Sequence, residues 1–140
     1  MKKTASAHWQ GSIKDGTGHI STESGALAKT PYGFKTRFSD KPGSNPEELL
    51  GAAHAACFSM ALSKELGDLG LTAQSIDTTA EVTLEKQADG FAITAVHLIL
   101  RAAIPGADQE RFEQAALSAK AGCPLSKVIN ASISLDAQLL

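Results

Sequence analysis

Several absences narrow this chain of 140 residues before any motif is read. It has no run of five like charges, and its formal net charge is −2, so it carries neither a nucleic-acid footprint nor a membrane-surface patch. No apolar run approaches the roughly 20 residues that a membrane-spanning helix needs. The opening stretch, "MKKTASAHWQGS", has two lysines without an apolar segment behind them, so it does not read as a secretory signal. CxxC and HExxH spacings, GxGxxG, a phosphate loop and a nucleophilic serine elbow are all missing. Cysteine is scarce, with only Cys57 and Cys123. The expected compartment is the cytoplasm, where a permanent disulfide is unusual, and two cysteines in one chain therefore need an explanation.

What is present describes one α+β domain spanning residues 1–140. The chain is 43% hydrophobic and 20% charged, ordinary for a globular protein, and no internal repeat or low-complexity tract occurs. Glycine-broken segments around "AHWQGSIK", "GHISTES" and "GFKTRF" read as strands, with "KDGTG" as a hairpin turn. In the third, a two-residue period sets Phe34, Thr36 and Phe38 on one face and Lys35 and Arg37 on the other. "SDKPGSNP" reads as a loop. Asn45 then stands as an N-cap, Pro46 at the first helical position and Glu48 at the capping-box position, predicting a helix to Leu66 that ends at Gly67. Leu50, Ala53, Cys57, Met60 and Ala61 form one stripe on it, and its other faces are also small or apolar, which predicts a central, buried helix.

Beyond it, "SIDTTAEVTLEK" alternates cleanly, and "QADG" turns it into "FAITAVHLILRAAI". That second segment is apolar on both faces, so it is expected to be covered on both. Asp108 to Ala121 reads as a second helix, "GCPLSKVI" as a short third with Cys123 at its cap, and "ASISLDAQLL" as a last strand. Strands, a buried helix, strands, helices and a strand make an α+β arrangement.

Taken alone, Cys57 on an apolar stripe could be inert filler. Cys123 sits at a helix start, where unpaired backbone N–H groups favour a thiolate. The two cysteines fit a reversible dithiol pair and equally two unrelated core residues. His54 and Cys57, three apart, could touch one metal ion, but no further ligand spacing supports zinc. His54 could also serve as a base for Cys57, or satisfy a local hydrogen bond. Three functional classes stay open on the residues: a dithiol redox enzyme, a binding module for small apolar ligands, and a structural protein whose cysteines merely pack.

"SNPEELLGAAHAACFSMAL" together with "AGCP" resembles the OsmC/Ohr family of thiol-dependent hydroperoxide reductases. "AHWQGSIKDGTGHISTESG", "PYGFKTRF" and "SIDTTAEVTLEK" resemble its OsmC branch, so the likeness spans nearly the whole chain. It implies an OsmC-like fold, antiparallel sheets packed around long central helices in an intertwined homodimer. It also implies a peroxidatic thiolate at Cys57, a resolving cysteine at Cys123, and an arginine and a glutamate matching Arg37 and Glu47. The implied substrate is an organic hydroperoxide, with inorganic peroxide weaker. The implied reductant is a small or protein-bound dithiol of lipoyl type, and no metal, flavin, haem or nicotinamide is needed. A guanidinium beside the sulfur would favour its charged form, and a carboxylate would orient the guanidinium. Glu47 and Cys57 lie ten residues apart, about 15 Å along a straight helix at ~1.5 Å per residue. A glutamate that far away cannot brace an arginine beside the same chain's sulfur, so either the helix breaks near Gly51 or a second chain supplies Glu47. The homodimer is the expected answer.

Overall fold

Two of the three amino-terminal segments read as strands, those around "AHWQGSIK" and "GHISTES", do form them, and a short strand not expected from the sequence joins them. In the computed structural model, which describes residues 1–39 and 42–140, β1 (Ala5–Gln10), β2 (Thr17–Thr22) and β3 (Thr30–Tyr32) make an antiparallel sheet in the order β1-β2-β3. Asp40 and Lys41, inside the stretch read as a loop, lie outside the described residues. β1 and β2 pair from Ala5↔Thr22 to Gln10↔Thr17; the first three residues of "KDGTG" lie in the turn between them, and its Thr17 and Gly18 already belong to β2. Gly18 lies opposite Tyr32, and a Cβ there would stand 2.5 Å from Tyr32 Cε1, so the ring rests where only glycine leaves room.

"GFKTRF" is not a strand. Lys35–Arg37 is a single 3-10 turn, and the two-faced pattern expected of Phe34, Thr36 and Phe38 does not form. The Thr36 hydroxyl donates to both Gly33 O (2.7 Å) and Ser44 O (2.8 Å), a side-chain-to-backbone tie that competes with an extended ladder. Phe34 and Phe38 meet edge to face, with ring centroids 5.3 Å apart. The described residues fall into two compact units, Met1–Leu49 and Leu50–Leu140.

α1 (Pro46–Asp68) begins as the sequence predicts: the Glu48 N–H donates to Asn45 Oδ1 at 2.8 Å. It runs unbroken through Gly51 and past Gly67. Gly70, at φ +70°, ends it, with the Leu71 N–H donating to Leu66 O and the Gly70 N–H to Gly67 O, a Schellman stop. The buried stripe is Gly51, His54, Phe58, Leu62 and Leu66, not the expected Leu50, Ala53, Cys57, Met60 and Ala61; Met60 is 69% exposed. Small residues on every face gave little contrast, and the bulky Phe58, Leu62 and Leu66 decide which side turns inward. Gly51 serves close approach: a Cβ would lie 3.2 Å from Ala80 O and 3.4 Å from Val82 Cγ2.

β4 (Ser75–Gln87) and β5 (Gly90–Ala103) form a long antiparallel hairpin, and β6 (Ser132–Leu139) lies against β5 in parallel. This sheet, ordered β4-β5-β6, is therefore mixed and not purely antiparallel as expected. α2 (Gln109–Gly122) and α3 (Pro124–Val128) carry the chain from β5 to β6, a crossover that makes the parallel pairing possible. A register shift between Thr83 and Leu84 leaves Thr94 unpaired and puts Leu84 opposite Ile93. Only one face of β5 is fully buried, at Val96, Leu98, Leu100 and Ala102, while Arg101 on the other face is exposed. On β6, Ile133, Leu135, Ala137 and Leu139 pair with those four residues and pack on the same core. Among the described residues no helix is long and apolar enough to cross a membrane.

Candidate active site

Cys57 lies beside the buried Phe58 on α1, at the margin of the inward stripe, and is half-buried. Cys123 is fully buried at the joint of α2 and α3. Its N–H donates to Ala119 O at 2.9 Å to close α2, and Pro124 follows at the first position of α3. Both thiols are free, with the sulfurs 2.9 Å apart. A disulfide would need roughly 1 Å of further approach. Cys57 and Cys123, 66 positions apart in the sequence, thus have their sulfurs in contact.

The two sulfurs are in hydrogen-bond contact, and their surroundings differ. Burial pushes the Cys57 thiol up, its hydrogen bond with Cys123 pushes it further, and the Leu125 N–H works weakly against both. Burial also acts to raise Cys123, but its hydrogen bond with Cys57 and those from the Ser126 N–H and hydroxyl and the Leu125 N–H together outweigh it and hold the thiol below its ordinary value. These contacts are looser than a true side-chain cap of α3, which Cys123 does not make. Within this chain alone the negative charge therefore favours Cys123. A cation beside Cys57 would act against its burial and favour its charged form.

His54 does not face Cys57 as a base. Its Nε2 is hydrogen-bonded to Ser126 Oγ at 2.8 Å, and the ring is wholly buried, which lowers its proton affinity. Its Nδ1 has no hydrogen-bond partner among the described residues. Cys57 opens on a surface hollow of about 440 Å³ walled by Met60, Ala61, Lys64, Ala119 and Pro124. Among the described residues no three His, Cys, Asp or Glu side chains gather as metal ligands would.

Arg37 and Glu47 form a second pair. Arg37 Nε lies 3.2 Å from Glu47 Oε2, an oxygen that is buried and accepts no aligned hydrogen bond. The 3-10 turn is pinned to the start of α1 by the Thr36 hydroxyl and by Asn45 Nδ2, which donates to Thr36 O at 3.4 Å. Ser44 anchors the same loop, its N–H and hydroxyl both donating to Pro31 O at 2.8 and 3.0 Å. Beside Arg37 lies a cavity of about 240 Å³ lined by Trp9, Ile13, Tyr32, Phe34 and Pro46. Trp9 and Tyr32 flank it with ring centroids 5.6 Å apart.

The four candidate residues are therefore met as two pairs, Cys57 with Cys123 and Arg37 with Glu47. Sequence reasoning missed the aromatic cavity and the contact of His54 with Ser126. Ser126, three residues past Cys123, was the available signal for the second.

Two free thiols within reach of a disulfide on an α+β scaffold define a dithiol protein. Residues 38–138 match the family described as OsmC-like protein. The chain is 58% identical over 139 residues to Peroxiredoxin OsmC of Escherichia coli K12, across 99% of this chain and 97% of that one. Its fold is similar to the crystal structure of the organic hydroperoxide resistance protein OhrB of Bacillus subtilis, with a TM-score of 0.72, 25% identity and 98% of each chain covered. It is similar also to an OsmC-like protein of Vibrio cholerae, with a TM-score of 0.78, 14% identity and 99% of each chain covered. The chain belongs to the OsmC family, as its two cysteine motifs suggested.

Proposed function

We propose that this chain is a thiol-dependent peroxidase that reduces organic hydroperoxides to alcohols, with Cys57 as nucleophile and Cys123 as resolver. The observation that carries the reading is the pair of free sulfurs 2.9 Å apart, one half-buried beside a surface hollow and the other fully buried. The Cys57 thiolate attacks the peroxide's distal oxygen, the O–O bond breaks, and the alkoxide leaves as alcohol after taking a proton. Cys57 is left as a sulfenic acid, which Cys123 converts to a disulfide with release of water. An external dithiol, of lipoyl type in our reading, resets the pair by exchange. Lys64, at the same hollow as Cys57, is already paired with Asp68 and Glu65, so Arg37 supplies the positive charge to the sulfur and Glu47 holds the guanidinium in orientation. The apolar cavity beside Arg37 suits the hydrocarbon part of an organic hydroperoxide, which favours such substrates over hydrogen peroxide.

The same reading makes the protein a homodimer. Because α1 does not break, Glu47 and Cys57 remain about 15 Å apart along its axis, and a partner chain has to bring its Arg37 and Glu47 to Cys57. Apolar positions exposed on α1, namely Ala53, Ala56 and Met60, supply surface for a second copy to cover. A turnover assay with cumene hydroperoxide, hydrogen peroxide and a dithiol donor tests the function. Wild type should prefer the organic substrate, and Cys57→Ser should lose turnover entirely. Full activity in Cys57→Ser would defeat the proposal and favour a binding role for the apolar cavity. Sedimentation of an active monomer would defeat the dimer.

A further inference from the structure

Beyond the two sulfurs, unit Leu50–Leu140 contains a polar pair, one member wholly buried and the other half-buried, that peroxide chemistry at Cys57 does not require. His54 is wholly buried, Ser126 Oγ lies 2.8 Å from its Nε2, and Ser126 is on the turn of α3 that Cys123 begins. We propose that His54 and Ser126 form a donor chain that favours the thiolate of Cys123 once Cys57 has been oxidised, fitting it to close the disulfide and later to leave from it. The inference rests on Cys123 being the resolving cysteine, as proposed above.

The direction of the chain follows from the unpartnered Nδ1. A hydrogen on that nitrogen would be a buried donor with nothing to accept it, whereas a bare lone pair is the cheaper orphan. The neutral ring therefore carries its hydrogen on Nε2 and donates to Ser126 Oγ. With that oxygen accepting, the Ser126 hydroxyl hydrogen is free to point at the Cys123 sulfur, on which the Ser126 hydroxyl and N–H both bear. A chain of this polarity gives hydrogen bonds to a negative sulfur and accepts no proton from it, so His54 positions Ser126 and is not a base.

Two steps use the result. In closure, the Cys123 thiolate attacks Sγ of the Cys57 sulfenic acid; the S–S bond forms, the S–O bond breaks, and hydroxide leaves as water after taking a proton from solvent. In reset, a thiolate of the external dithiol attacks the more accessible Cys57 sulfur, and the electron pair of the breaking S–S bond goes to Cys123. A sulfur already stabilised as thiolate leaves faster. The second thiol of the reductant then displaces Cys57 and closes the reductant's own disulfide.

The test compares Ser126→Ala and His54→Leu with Ser126→Thr and His54→Gln, which keep a hydroxyl and a side-chain N–H. One equivalent of cumene hydroperoxide is added to reduced full-length protein, and the rates of Cys57 oxidation and disulfide closure are followed separately. The ratio of closure to oxidation should fall about three- to ten-fold in Ser126→Ala and His54→Leu, once the greater nucleophilicity of a more basic thiolate is set against its scarcity. Ser126→Thr and His54→Gln should recover most of it. In a Cys57→Ser background, the ultraviolet thiolate signal of Cys123 should move to higher pH when Ser126 becomes Ala. An unchanged ratio and an unmoved thiolate signal in Ser126→Ala, which decides alone if the His54 variants do not fold, would overturn the inference. Cys123→Ser separates the two readings: if it fails to accumulate sulfenic acid at Cys57, the resolving role itself is wrong, whatever Ser126 does.

Discussion

The two units hold themselves together by different means. Every buried hydrophobic side chain among the described residues lies in Leu50–Leu140, from Phe58 to Cys123, on α1, β5 with the turn after it, α2 and the α2–α3 joint. In Met1–Leu49 the buried residues are two polar ones, Ser44 and Asn45. The first region is fixed by a core, the second by strand pairing and by side-chain-to-backbone ties around Thr36, Ser44 and Asn45. The thiol pair sits in the region with the core, where burial tunes it. The arginine–glutamate pair sits in the region without one. Substitutions in the first region should therefore move stability and chemistry together, and those in the second should separate them.

Phe58→Ala should give the largest effect. Phe58 is fully buried next to Cys57, and truncating a buried phenylalanine costs about 3–5 kcal/mol. Urea unfolding should record that loss, and the rate of disulfide closure should fall with it as the helix under Cys57 loosens. A loss below about 1 kcal/mol would mean the core does not position the thiol as argued.

Arg37→Met comes next and should do the opposite, changing chemistry with little change in stability. Removing the guanidinium should slow alkylation of Cys57 at neutral pH by about ten-fold and move its pH profile upward. The unfolding free energy should stay within about 1 kcal/mol of wild type, since the ion pair is only partly shielded. An unchanged profile would remove Arg37 from the site and open it to the chain's other cations, among them Lys14, Lys35 and Arg101.

Asn45→Ala, within Met1–Leu49, should as an exception change stability and chemistry together. It removes the acceptor of the Glu48 N–H and the donor to Thr36 O, at a cost of about 1 kcal/mol for the lost cap. Because the same residue pins the turn that carries Arg37, it should also lower turnover by a smaller factor than Arg37→Met. Asn45→Asp keeps the cap acceptor and loses the donor, so it should restore stability ahead of activity. Equal recovery of both would show that cap and turn do not act separately.

This division also explains what the sequence could tell. Signals set by local chemistry were legible: Asn45, Pro46 and Glu48 start α1, Cys123 and Pro124 start α3, and "QADG" turns β4 into β5. Signals settled by packing were not. The buried phase of α1 depends on what it packs against, and its run of alanines hides the choice. "GFKTRF" alternates like a strand, but a single threonine hydroxyl folds it into a turn. The parallel pairing of β6 is set by the route through α2 and α3, which no periodicity in "ASISLDAQLL" reports. Arg37 and Glu47 each look like solvated surface in the sequence, and only family resemblance joined them before the 3.2 Å contact was seen.

The smallest effect is a pH dependence that belongs to one region. Ser44 and Asn45, the buried polar residues of Met1–Leu49, do not titrate, so their contributions should not change with pH. His54, the buried polar residue of Leu50–Leu140, does titrate, and burial holds it below the ordinary 6.5. The unfolded chain titrates near 6.5, so in the interval below that value it binds a proton that folded His54 refuses. Stability therefore rises with pH across that interval. His54's share is fully present above about pH 6.5 and is lost as pH falls toward the folded value. His54→Gln keeps an N–H for Ser126 but cannot take up a proton, so its urea midpoint should fall less than wild type's between about pH 7.5 and pH 5.5. Asn45→Ala should instead keep the wild-type slope at a lower midpoint. If His54→Gln runs parallel to wild type across this range, His54 is not held neutral in the core, and the donor chain to Cys123 loses its first link.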